Sequence, residues 1–176
     1  MLGQQPSMST CDTSHLVFQG VRLRFGSAKT YEELVSAFFD EVGRQAVPID
    51  DIAAATERWQ SYESEVQSQA GPSGFMLFQL FNHGAWIKNA GINREVLRAT
   101  IDNPLIAITM LRHDVTAGLF APVEVLLVEE ENNHSSLIYV KPSSLTVVDH
   151  NEPLASAARE LDDKLAALAA TVCGQA

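Results

Sequence analysis

The last third of the chain sets the tightest limit on its fold. PVEVLLVEE (122–130) and SSLIYVKP (135–142) are short runs rich in Val, Leu and Ile, separated by the polar Glu131-Asn132-Asn133-His134. Two such runs on so short a connection read as an antiparallel hairpin. Beyond Pro153 the period changes. Leu154, Ala158, Leu161, Leu165, Leu168 and Val172 recur at spacings of four and three, with Gly174 just past the end. That is a helix with one wholly apolar face. A half-apolar sheet and a half-apolar helix each need a partner, and the cheapest one is the other.

The earlier chain supplies more of both elements. Within Leu16–Phe25, Val21, Leu23 and Phe25 alternate with Arg22 and Arg24, a strand pattern. Thr30 and Glu33 form a capping box for a helix with Leu34, Val35, Phe38, Phe39 and Val42 on one face, and Gly43 is placed to end it. Residues 48–70 read as one peripheral helix, starting at Pro48, Asp50 and Asp51 and ending at Gly71-Pro72-Ser73-Gly74. Phe75–Phe81 is a central strand, Ala85–Gly91 a short helix, and Val96–Ile101 a third strand. Asn103 caps a helix that has Pro104 in its first turn and Leu105, Ile108, Met110 and Leu111 on its buried side. Residues 113–121 and 143–152 read as connections. The expected fold class is α+β: a curved, mostly antiparallel sheet packed on two long helices, with an extra peripheral helix inserted. The expected division is a disordered leader over 1–14 and a single α+β domain over 15–176.

Composition limits partners more than it identifies them. With 12 basic and 22 acidic residues the formal charge is −10, and no basic stripe offsets it. Such a chain is repelled by phosphate backbones, so no nucleic acid is expected. No signal peptide and no run of 18 apolar residues is present, which leaves no membrane partner and a cytoplasmic setting as the expectation. Cys11 and Cys173 belong to no zinc or redox spacing. They read as unpaired thiols, with a bridge joining the termini left open.

The middle of the chain resembles the domain of unknown function 302 family. The family's apolar strand ends in a hydrophobic-Asp-His motif, read here as Leu80-Phe81-Asn82-His83, with Asn82 in place of the acid. A glycine after a short helix is matched at Gly91, and the family's Gly-Asn-Pro appears as Asp102-Asn103-Pro104. Ala121-Pro122 leads into the hairpin, where Tyr139 and Pro142 stand at family positions. The resemblance covers about 70–145, reaches the first and last helices by pattern only, and leaves 48–70 as an insertion. It implies a fold similar to that of the TATA-binding protein, and it implies no activity.

Three residues are candidates for chemistry. His83 follows a buried strand and precedes Gly84, where a ligand could approach the backbone; its imidazole suits general acid or base work. The plainer account is a histidine that caps the short helix or bonds a carbonyl. Tyr139 and Asn103 are possible helpers, although a half-buried strand aromatic and a helix cap explain them as well. Lys88 and Arg98 could offer charge to an anionic substrate, or be solvated. The histidines, His15, His83, His113, His134 and His150, show no i,i+3 or i,i+4 pair, so no metal is expected. Nucleotide, flavin and haem signatures are absent, so no cofactor is expected.

Three functions remain open. One is a small-molecule binding domain taking a largely apolar ligand in a cavity between the layers, with Phe75, Phe78, Phe81, Trp86 and Met110 as lining candidates. The second is a cofactor-independent isomerase, cyclase or lyase using His83. The third is a homo-oligomeric interaction protein, for instance a homodimer.

Overall fold

A computed structural model describes residues 13–174. The elements run β1 (Arg22–Ser27), α1 (Tyr31–Val42), α2 (Ile49–Ala55), α3 (Trp59–Gln69), β2 (Met76–Asn82), α4 (His83–Ile87), β3 (Val96–Asp102), α5 (Pro104–Leu111), β4 (Val123–Glu129), β5 (Ser135–Val140), α6 (Ser143–Thr146) and α7 (Glu152–Cys173). The strands form one open sheet in the order β1-β5-β4-β3-β2, and every pairing is antiparallel. This is the expected α+β class, with α1 and α7 as its long helices.

The hairpin forms as its pattern demands. Val125 faces Tyr139 and Leu127 faces Leu137, so the odd-numbered positions of both strands share one face. The connecting turn uses Asn132 and Asn133 with φ of 58° and 62°. Asparagine tolerates that left-handed conformation better than other residues with a Cβ. Onto the odd-numbered face pack α1, α5 and α7, burying Leu34, Phe38, Met110, Leu161 and Leu165 among the strand residues.

Side-chain caps set the helix limits. Thr30 and Glu33 make the reciprocal capping box at α1, with bonds of 3.2 and 2.9 Å. At the other end of the layer, Ser27 Oγ donates to the Cys173 carbonyl at 2.8 Å and Lys29 Nζ to the Val172 carbonyl at 2.6 Å. The last turn of α7 is thus closed by a hydroxyl and a cation from the end of β1, where the helix dipole favours positive charge.

Several expected boundaries shift. Residues 48–70 are two helices, not one. Thr56 takes an extended conformation and its hydroxyl bonds back to the Ile52 carbonyl at 2.8 Å. The break lets Ile52 and Val66 both reach Met76, forming a small second apolar cluster beside β2. The first strand starts at Arg22 rather than Leu16. The short helix after β2 starts at His83, because Asn82 Oδ1 accepts the Ala85 amide at 3.0 Å. Both connections hold a helical turn, Val115–Leu119 as 3-10 helix and α6. Residues 1–12, including Cys11 and most of the proposed leader, lie outside the described residues, whereas Cys173 is buried and has no disulfide partner among the described ones.

Candidate functional site

Strand alternation gives the sheet a second face, opposite the helices. Reading across the register, Arg24, Ile138, Leu126, Arg98 and Phe81 stand side by side on it. A neighbouring row has Arg22 opposite Val140 and Glu124 opposite Thr100. Toward the hairpin turn this face is roofed by ion pairs, since Glu130 holds both Arg24 and Arg94 and also takes the Ser136 hydroxyl. Burial would push the Glu130 carboxyl up, but the Ser136 hydroxyl and the two guanidiniums outweigh it and hold it below the usual range. Away from that end no helix among the described residues covers the face. Leu126, Ile138 and Val140 are only half-buried, and they floor a concavity of about 280 Å³ walled by Arg22, Arg98 and Glu124. A second hollow of about 310 Å³ shares Arg98, Glu124 and Val140 and runs on to Leu119, Phe120 and Leu145. Phe18 packs edge-on against Phe120 with ring centroids 5.9 Å apart, extending the apolar wall at that end.

The charges in this groove are unequally committed. The Arg98 guanidinium pairs with Glu124 and lies over the Phe81 ring, 5.6 Å from its centroid. Glu124 also accepts the Thr100 hydroxyl at 3.2 Å. Arg22 is exposed and has no carboxylate partner among the described residues.

The three catalytic candidates are not brought together. His83 sits beyond the Asn82–Leu97 end of the β2–β3 ladder and Asn103 beyond its Met76–Asp102 end. At ~3.4 Å per residue these ends are about 20 Å apart. Tyr139 packs in the core between sheet and helices, and the residue also borders the groove. His83 is half-buried; its ring meets Trp86 edge-on at 5.9 Å and finds no hydrogen-bond partner among the described residues. Gly84 does not open a path for a ligand. The space its Cβ would fill is taken by the Glu95 carboxylate at 2.8 Å and the Val96 amide nitrogen at 3.0 Å, so this glycine serves chain packing. Asn103 is buried and structural: Oδ1 accepts the Leu105 amide at 2.9 Å and Nδ2 donates to the Gly74 carbonyl at 2.8 Å.

Tyr139 is 3% exposed and stacked on Phe25, and its hydroxyl has no partner. Burial, with help from the Asp162 charge, pushes this phenol up to about 12. It therefore stays protonated at neutral pH and cannot serve as a base there. Of the charged candidates, Lys88 pairs with Glu95 outside the groove, and Arg98 lines it. Among the described residues no group of His, Cys, Asp and Glu is arranged to hold a metal.

The expected lining residues do not surround one cavity. Phe75 and Met110 are core, Phe78 belongs to the second apolar cluster, and Phe81 and Trp86 are exposed. The feature missed in sequence is the outward face itself. Its signal is the alternation of Arg22 and Arg24 with core residues, together with Leu126 and Ile138 at outward positions of their strands.

Fold and groove together define a two-layer α+β domain whose sheet keeps one face partly open. The family model for the domain of unknown function DUF302 matches residues 53–172, and the chain belongs to that family. The match includes α7, which the resemblance reached by pattern only, and also α3, which the resemblance left as an insertion; it leaves β1 and α1 outside. Among solved structures the chain is similar to an uncharacterized conserved DUF302 protein from Bacillus stearothermophilus. The TM-score is 0.60 with 16% identity, over 86% of this chain and 97% of that one. At that identity the likeness concerns the fold alone. No curated protein matches significantly. Among the described residues no helix is long and apolar enough to cross a membrane.

Proposed function

We propose that this chain is a small-molecule binding domain and that its site is the uncovered part of the sheet rather than a cavity between the layers. The observation that carries this reading is the half-buried apolar floor of Leu126, Ile138 and Val140 within charged walls. Ligand sites combine apolar lining with a few placed polar groups, and volumes of ~300–1,000 Å³ are usual. The two hollows, about 280 and 310 Å³, lie at or just below the lower limit of that range, which suits a compact, largely apolar ligand. A cytoplasmic setting is part of this reading, one in which the buried Cys173 thiol stays reduced. Proton-transfer catalysis at His83 gains no support from its surroundings, because no partner orients the ring.

The test is a titration with a neutral aryl probe such as naphthol, followed by methyl NMR. Shifts should centre on Leu126, Ile138 and Val140. Leu126→Asp should abolish them while the chain still unfolds cooperatively with only a modest loss of stability, since an apolar body would desolvate the carboxylate on the floor. Equal binding by Leu126→Asp, or shifts centred near Trp86, defeats the reading.

A further inference from the structure

We infer that the natural ligand carries one carboxylate, that Arg22 holds it, and that an apolar body lies over Leu126, Ile138 and Val140. This rests on the proposed reading of the groove as a ligand site.

The argument is one of charge left over. The groove has two guanidiniums and one carboxylate on its walls. Arg98 and Glu124 satisfy each other, and Phe81 and Thr100 hold them in place. The next outward arginine on β1, Arg24, is tied to Glu130. Among the described residues Arg22 alone of these faces the groove without a carboxylate partner, in a chain whose formal charge is −10. An isolated cation beside an apolar floor suits an anion at one end of an apolar molecule. The guanidinium fork matches a carboxylate with two parallel hydrogen bonds, and such charge-assisted bonds strengthen as water is displaced. One spare positive charge matches a monoanion better than a dianion, which favours a carboxylate over a phosphate monoester. A cationic ligand would face repulsion, and a neutral one would leave Arg22 partly desolvated without a partner.

A second copy of the chain is the competing occupant. It would set Arg22, Arg24 and Arg98 of one face against the same residues of another, and the large negative charge on each chain opposes the approach. A small acid has neither handicap.

The experiment compares octanoate with octanol, which share a tail and differ in the head group, on the full chain and on Arg22→Gln. Binding is read from the Leu126 and Ile138 methyl shifts, with oligomeric state followed by light scattering. Octanoate should bind the unsubstituted chain about tenfold or more tighter than octanol. Arg22→Gln should lose that preference and bind octanol at least as tightly as the unsubstituted chain, because no guanidinium is then desolvated without a partner. If octanol binds the groove as well as octanoate, or if Arg22→Gln keeps the preference, the carboxylate assignment fails and the groove remains a ligand site. If neither compound moves those methyls, or if they are already protected in a concentration-dependent dimer, the site reading fails and the inference goes with it.

Discussion

Leu126 and Leu127 are neighbours on the same strand and have opposite fates. Leu127 is fully buried beneath the helices, whereas Leu126 is half-buried on a face that no helix covers. The covered face is closed by size and shape, with Leu34, Phe38, Leu161 and Leu165 filling the space between sheet and helices. The open face is arranged by charge, with arginines and glutamates around a narrow apolar strip. The contrast teaches where the two demands on the chain lie: stability is concentrated on one side of the sheet, and the freedom to bind something is left on the other.

That contrast is most easily broken at the paired leucines. Leu127→Ala should cost about 3–4 kcal/mol, the loss typical of a large-to-small change in a packed core. Leu126→Ala should cost less, about 1–2 kcal/mol, because part of its surface is already in water. Chemical denaturation of the two variants measures both. Similar losses would mean that the outward face is covered in solution and that the groove is not free.

The next effect concerns the rim of the core. Asp102, 2% exposed, has burial pushing its carboxyl from 3.8 up to about 7, while the single hydrogen bond from the Asn103 amide, 2.7 Å, pulls the other way. Folding therefore favours the protonated acid. There is no penalty below pH 3.8; one grows as the pH rises toward 7 and is complete above it. Asp102→Asn keeps an acceptor for the Asn103 amide and removes the charge. It should raise stability by about 2–3 kcal/mol at pH 8 and leave it nearly unchanged at pH 4. Unfolding midpoints across that pH range decide the matter, and a variant that keeps the parent's slope would show that the buried charge is compensated.

The covered half of this design was readable from the residues, and the open half was not. The apolar runs on either side of a short polar loop and the spacing of three and four after Pro153 call for a sheet on a helix. Alternation shows that a strand has two faces without saying which one a distant helix will cover. In β4, Leu126, Leu127 and Val128 are all apolar, so the strand reads as buried on both sides. The break at Thr56 was hidden for a related reason. It is set by Ile52 and Val66 meeting Met76 on another element, not by a local stop signal. His83, Asn103 and Tyr139 looked like partners because each bears usable chemistry, and only the β2–β3 register separates them. Asn103 was legible as a cap because Pro104 follows it at once. The raised pKa of Asp102 was not legible, since it depends on burial.

The smallest expected effect lies on the covered face, where polarity is out of place. Tyr139 Oη and Asp162 Oδ2 are both buried without a hydrogen bond, although Lys141 Nζ stands 3.4 Å from the carboxylate and the Ser143 amide bonds its other oxygen at 3.0 Å. A lone buried hydroxyl costs about 1–3 kcal/mol, and replacing it by hydrogen leaves the ring and its stacking on Phe25 in place. Tyr139→Phe should therefore fold as well as the parent or gain about 1 kcal/mol, with binding in the groove unaltered because the hydroxyl lies on the other side of the sheet. A loss of 1 kcal/mol or more would mean that the hydroxyl is satisfied in solution, through water or through Asp162. A loss of binding with stability intact would mean that the core face takes part in the site, and the division between a stabilising face and a binding face would no longer hold.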